Sequence, residues 1–151
     1  MSELLKAKEI LLRFFSFRDR TEKEAREKLK EKGIDEKTAE EAILWLKQEG
    51  LLNDSRFARQ WVEGRKERYG RIRLFRELLK KGVEGETARQ AVSLLSEEEE
   101  LNSALEIGRR RLASISPDDP HRREKLASFL LRRGFSWEIV EKALRFLFPS
   151  P

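Results

Sequence analysis

The residues best placed by type and spacing to do chemistry are basic. Arg65, Lys66, Arg68, Arg71, Arg73 and Arg76 straddle Gly70, with Tyr69 among them. Arg outnumbers Lys in this arc, which suits fork-shaped contacts to phosphates or carboxylates. Charge is also segregated along the chain. Residues 1–52 carry 12 basic and 12 acidic side chains, residues 53–96 carry 11 and 6, and residues 97–151 carry 10 and 10. The whole net charge of +5 therefore belongs to the middle third. Such an arc suits an anionic partner, either a nucleic-acid backbone or an acidic protein groove. The competing interpretation is a solvated face partly paired with Glu63, Glu67 and Glu77.

Catalytic chemistry finds no comparable grouping. The chain has no cysteine, which excludes a disulfide framework, a thiolate zinc site, an iron–sulfur cluster and a cysteine nucleophile, and points to a reducing compartment. His121 is the single histidine and has no neighbours in sequence that would make it an acid–base or metal-binding group, so it is expected to be exposed and structural. Glycine-rich phosphate loops, G-x-S-x-G and H-E-x-x-H are all missing from the sequence. No enzyme activity, metal, cofactor or small-molecule substrate is expected. Arg109, Arg110 and Arg111 lie behind Glu97–Glu100 and read as charges that complement a helix dipole. Trp45 and Trp61 fall within apolar helical patterns and are expected to pack, whereas Trp137 follows a helix start and is the more exposed aromatic. Phe14, Phe15 and Phe17 at a helix end suit either a docking patch or packing at a hinge. No apolar run approaches the ~20 residues of a membrane helix, and Met1-Ser2-Glu3 does not open a signal peptide, so a cytoplasmic protein is expected.

The elements that position these residues are helices. Leu occurs 22 times against 7 Ile, 4 Val and 3 Thr, a helical rather than a sheet bias. An internal repeat organises them. Leu29-Lys30-Glu31-Lys32-Gly33-Ile34, Leu78-Leu79-Lys80-Lys81-Gly82-Val83 and Leu130-Leu131-Arg132-Arg133-Gly134-Phe135 share one pattern, with the glycines 49 and 52 residues apart. Nine residues past each glycine stands alanine (Ala42, Ala91, Ala143), and thirteen past it leucine (Leu46, Leu95, Leu147). Each copy reads as helix, glycine stop, helix, because glycine past a basic last turn supplies the left-handed closing position.

Start signals agree with this division. Thr21 with Glu24 and Ser96 with Glu99 form capping boxes, and Asp35, Asp54 and Ser136 precede helices. Asp119-Pro120 is expected to open another helix, and Gly50 and Gly70 to close two. The first helices of the three copies are predicted near Glu3–Phe15, Asp54–Tyr69 and Glu97–Ser114. Ala25 and Leu29, Leu74 and Leu78, and Leu126 and Leu130 lie four apart and mark buried faces. The expected fold is all-α, about nine helices in three tandem three-helix repeats over 1–52, 53–96 and 97–151.

Three segments resemble one known family. Leu52-Asn53-Asp54-Ser55-Arg56-Phe57-Ala58 with Gly70-Arg71-Ile72-Arg73-Leu74 and Glu77–Val83 is similar to the middle repeat of the RecX family, Lys125–Ser136 to its last repeat and Ala25–Gly33 to its first. The resemblance covers nearly the whole chain. It implies an all-helical modulator that binds RecA recombinase filaments on single-stranded DNA and mainly inhibits their recombinase, ATPase and coprotease activities, without catalysis. Five net charges on one modest arc are a weak endowment at physiological ionic strength, so single-stranded DNA alone is expected to bind weakly. The alternative is a helical protein that binds DNA or RNA without sequence preference through the basic arc. The loop Ser114–Pro120 departs from the family pattern.

Repeats that touch mainly their neighbours are expected to stack into an elongated, curved body. Small-angle scattering checks this: a compact chain of this length has a radius of gyration of about 15 Å, and the stacked arrangement exceeds it.

Overall fold

A computed structural model describes residues 2–150, which form nine helices and no strand. In order these are α1 (Glu3–Phe15), α2 (Glu22–Glu31), α3 (Glu36–Gln48), α4 (Asp54–Arg65), α5 (Arg71–Lys80), α6 (Gly85–Ser93), α7 (Glu97–Leu112), α8 (Arg122–Arg132) and α9 (Trp137–Leu147). They make three consecutive helix triplets, α1–α3, α4–α6 and α7–α9.

The repeated glycine motif has one physical explanation in all three copies. The N–H of the residue after glycine donates to the carbonyl of the motif's leucine, as Ile34 does to Leu29 (3.0 Å), Val83 to Leu78 (3.0 Å) and Phe135 to Leu130 (3.3 Å). The glycine N–H bonds two residues nearer, Gly33 to Lys30, Gly82 to Leu79 and Gly134 to Leu131. Together these are the paired bonds of a Schellman ending, which needs a left-handed residue at the turn. Gly33, Gly82 and Gly134 supply φ of +78°, +95° and +90°. Motif leucine and following apolar residue are buried in every copy, so one short pattern both stops a helix and ties its end to the core. Each fully buried aliphatic side chain of this kind contributes about 2 kcal/mol.

The chain divides into two compact units. One contains the residues up to Gln60 together with Leu78–Ala88; its core joins Ala7 and Leu11 of α1, Ala25 and Leu29 of α2, and Ile43 and Leu46 of α3. The other contains Trp61–Glu77 and the chain from Arg89 on; its core joins Ala104 and Leu105 of α7, Leu126 and Leu130 of α8, and Val140 and Leu144 of α9. The middle triplet is thus divided between the two.

Within each unit a second helix of one triplet starts on the glycine turn of the next. In the first unit the Thr21 hydroxyl donates to the Lys81 carbonyl (2.7 Å), the Glu22 N–H donates to Asp54 Oδ1 (2.9 Å), and a Cβ on Gly82 would strike the Lys23 side chain. In the second unit Gly70 N–H donates to Arg133 O (2.9 Å), Ile72 N–H to Gly134 O (3.1 Å) and Arg71 N–H to Glu100 Oε2 (2.7 Å). Helix N-termini carry unpaired N–H donors, and here the following triplet satisfies them with turn carbonyls and the carboxylates of Asp54 and Glu100. Approach is close enough that a Cβ on Gly70 would lie 2.5 Å from Gly134 O.

Most start signals act as read: Thr21 and Glu24 bond reciprocally, and Asp35, Ser96 and Ser136 accept from Thr38, Glu99 and Ile139 N–H. Others differ. Asn53 Oδ1 caps α4 through Arg56 N–H, which leaves Asp54 for α2. Gly70 closes no helix; α4 ends at Arg65, residues 66–69 form a turn, and Gly70 opens α5 because its N–H is taken by Arg133. Asp119-Pro120 precedes α8 rather than starting it: Asp119 Oδ1 accepts from His121 N–H (2.8 Å), a side-chain turn, and α8 begins at Arg122.

Substitution of alanine separates the two demands on glycine. Gly33→Ala meets no atom within 4 Å and faces only its positive φ, at a cost of about 1–2 kcal/mol. Gly134→Ala meets the same strain plus the Arg73 backbone and is expected to cost about 3 kcal/mol or more, measured by urea unfolding.

Candidate functional site

The basic arc occupies the end of α4, the turn at 66–69 and the start of α5, all within the second unit. Tyr69 is half-buried at its centre, and four guanidinium groups surround its ring. Centroid distances are 4.1 Å for Arg73, 4.5 Å for Arg65, 5.2 Å for Arg133 and 5.8 Å for Arg68. Cations over an aromatic face are attracted by its quadrupole, which offsets part of their mutual repulsion.

A single carboxylate organises the inner side of this cluster. Glu77 accepts from Arg65 Nε and Nη2 (2.9 and 2.8 Å), from Trp61 Nε1 (3.0 Å) and from Arg73 Nε (3.3 Å). Burial alone would raise the Glu77 carboxyl's pKa; bonds from Arg65 and Trp61, and then Arg73, outweigh it and hold the group below the usual carboxylate range. The Arg65 guanidinium is correspondingly raised by its bond to Glu77.

The six cations singled out in the sequence are therefore not equivalent. Arg65 and Arg73 are bound to Glu77. Lys66 reaches Glu63 and Glu99, each at 3.0 Å. Arg71 donates through Nε to the Leu95 carbonyl (3.0 Å), with a second bond from Nη2, and so holds the end of α6. Its neighbour Glu100 is only 2% exposed, and burial raises its pKa despite the Arg71 N–H. Arg68 and Arg76 are exposed. The surface thus combines an internally paired layer with exposed guanidinium groups.

Two further arginines join the surface. Arg133 reaches Tyr69 from the turn after α8, and Arg89 of α6 lies beside Arg71 and Arg76 along a groove. Arg133 had a signal in the repeat, since it precedes the motif glycine; its approach to Tyr69 depends on the Gly70–Gly134 contact and is not local. The remaining aromatic residues divide by environment. Trp61 is bound to Glu77, Trp45 is half-buried with Lys8 4.7 Å above its ring, and Trp137 is 58% exposed. Phe14 lies under Arg20 at 4.1 Å, whereas Phe17 is 80% exposed. His121 is exposed. Among the described residues no group of three or more His, Asp or Glu side chains is placed to hold a metal ion, and no helix is long and apolar enough to cross a membrane. Guanidinium groups held by an inner carboxylate and an aromatic ring are suited to binding anions rather than to moving protons.

Comparison with known proteins covers all three triplets. Residues 7–46, 53–92 and 97–144 match, respectively, the first, second and third three-helix domains of RecX. The chain is 37% identical over 147 residues to the regulatory protein RecX of Amycolatopsis mediterranei, covering 93% of this chain and 84% of that one. With the regulatory protein RecX of Clostridium perfringens identity is 32% over 146 residues, covering 95% and 69%. The crystal structure of RecX from Lactobacillus salivarius superposes with a TM-score of 0.87 at 25% identity, covering 96% of each chain.

Glu77→Gln tests the inner layer. A carboxylate with a lowered folded pKa contributes stability that is complete above its unfolded pKa and lost as pH falls through the folded value. The substitution should cost about 2 kcal/mol at neutral pH and flatten the loss of stability on acidification below about pH 4, followed by urea unfolding across pH.

Proposed function

Because the chain belongs to the RecX family, we propose that it is a cytoplasmic regulator that binds RecA filaments on single-stranded DNA and damps their recombinase, ATPase and coprotease activities. The observation that carries this is the run of three family domains, in family order, over residues 7–144. The relatives' name, regulatory protein, supports a binding protein over an enzyme. The middle repeat is proposed as a principal contact, since it holds the chain's net charge of +5 and the arginines around Tyr69. Arg68 and Arg76 are the outward members of the original arc; Arg65, Lys66, Arg71 and Arg73 hold the surface in place.

Bare nucleic acid is the weaker ligand in this proposal. A surplus of five cations on a modest surface is a small endowment where the screening length is about 8 Å. With about four phosphate contacts, single-strand affinity would fall roughly sevenfold for each doubling of salt. Filaments add protein contacts that salt weakens less.

The test is a pair of titrations at matched salt, one with naked single strands and one with nucleotide-locked RecA filaments, alongside RecA ATPase. Tighter binding to filaments and inhibition below stoichiometric ratios are expected; equal affinities would instead support direct, sequence-independent nucleic-acid binding. Arg68→Glu should weaken inhibition by about fivefold or more with the helical far-ultraviolet signal unchanged, because an exposed charge contributes little to stability.

A further inference from the structure

A groove of about 430 Å³ runs between α5 and α6, lined by Arg71, Ile72, Phe75, Arg76, Arg89 and Val92. All six residues belong to the second unit. Its floor is apolar, with Ile72 41% exposed, and three arginines stand around it. Its volume lies in the roughly 300–1,000 Å³ range of clefts that take ligands.

The internal repeat supplies a control. The first triplet has a crevice between α2 and α3, of about 400 Å³, lined by Arg26, Lys30, Ile34, Glu36, Ala39 and Glu40, of which Arg26 and Glu40 stand at the positions of Phe75 and Arg89. There a clasp crosses it: Arg26 Nε and Nη2 donate to Glu40 at 2.6 and 3.0 Å, and Arg26 Nη1 donates to Glu22 at 2.9 Å. In the 49-residue register set by the glycines, Glu22 corresponds to Arg71, Arg26 to Phe75, Glu27 to Arg76 and Glu40 to Arg89. Three acidic positions have become arginine, and the central arginine has become phenylalanine. One crevice holds a cation between carboxylates; the other has an apolar ring among cations. The third triplet repeats neither pattern: in its 52-residue register the positions of Phe75, Arg76 and Arg89 are Ala127, Ser128 and Glu141.

From this inversion we infer that the α5–α6 groove docks an acidic amphipathic segment of a protein partner, seating apolar side chains on Ile72, Phe75 and Val92 while carboxylates on either side meet the arginines. The inference deepens the regulator proposal and rests on it for the partner's identity. Charge complementarity selects the acidic rim, and the floor selects a polypeptide. Phe75 is a single ring between aliphatic Ile72 and Val92 and gives bases no run of stacking platforms, whereas single-strand binders align several aromatic faces. A helix or extended segment with apolar anchors among acidic residues satisfies both halves of the groove. Arg71 is preorganised for this task, because the Leu95 carbonyl already holds its guanidinium while its side chain stays 37% exposed.

The probe is a labelled peptide carrying Leu and Phe at i, i+3 and i+7 among Glu and Asp, titrated by fluorescence anisotropy. Binding is expected to fall at least about tenfold when the carboxylates become amides, when the apolar residues become Ser, or when the protein carries Ile72→Glu or Arg76→Glu. Both substitutions lie at exposed positions, and circular dichroism checks the fold. No binding of the acidic peptide, equal binding of its amide version, or an oligothymidine probe that displaces the peptide and is itself weakened by Ile72→Glu would overturn the inference. Co-sedimentation with RecA filaments keeps the two proposals apart. Wild-type protein that binds filaments, with Ile72→Glu and Arg76→Glu binding equally, removes the groove and leaves the regulator. Wild-type protein that fails to bind filaments removes the regulator, while the peptide titration still decides the groove.

Discussion

Helix N-termini leave donors unpaired, and in this protein the next repeat supplies their acceptors from its glycine turn and its first helix. Gly70, Arg71 and Ile72 give their N–H groups to Arg133, Glu100 and Gly134, and the same logic joins Thr21 and Glu22 to Lys81 and Asp54. The joint requires little side-chain volume at the crossing, and glycine at 70, 82 and 134 meets that need. Because Glu100 is buried with its pKa raised, its bond to the Arg71 N–H is made in a place where an unpaired polar group would be costly. The joint therefore sets where α5 begins, and through α5 the direction of Arg71, Arg73 and Arg76.

That placement explains why the arc is neither a free cationic patch nor a neutral paired face. Glu77 gathers Arg65, Arg73 and Trp61 on its inner side, and Tyr69 lies beneath the guanidinium groups. Fixing the inner members reduces the conformational entropy lost when a partner binds, so the same ion pairs that neutralise charge also stiffen the surface. Arg71 has two tasks at once, holding the end of α6 at Leu95 and standing beside the α5–α6 groove.

Repetition makes the functional differences visible. All three triplets share the leucine–glycine ending and buried positions such as Leu29, Leu78 and Leu130, which serve stability. What distinguishes the middle one is surface chemistry at equivalent positions, where the Arg26–Glu40 clasp of the first triplet gives way to Phe75 and Arg89. The three triplets thus share a scaffold while the middle one carries a divergent face.

The sequence by itself determined the helical class, the three-fold repeat and most helix ends, because those depend on short-range rules. A buried leucine, two basic or polar residues and a left-handed glycine specify a Schellman turn wherever they occur, and Thr21, Asp35 and Ser136 cap within three residues of themselves. The arginine concentration was equally legible, since charge counts need no coordinates. Only the tertiary structure decided which of those arginines face outward. Gly70 looked like a helix stop and instead starts α5, because its acceptor, Arg133 O, lies 63 positions away in sequence. Arg133 joins Tyr69 and Asp54 leaves its own helix to receive Glu22 N–H through contacts that are likewise distant in sequence, and Phe75 and Arg89 come from two helices to line one groove. Spacing along a chain specifies which residues share a helix face; which face meets which depends on close packing between helices, and here on glycines that let two backbones approach.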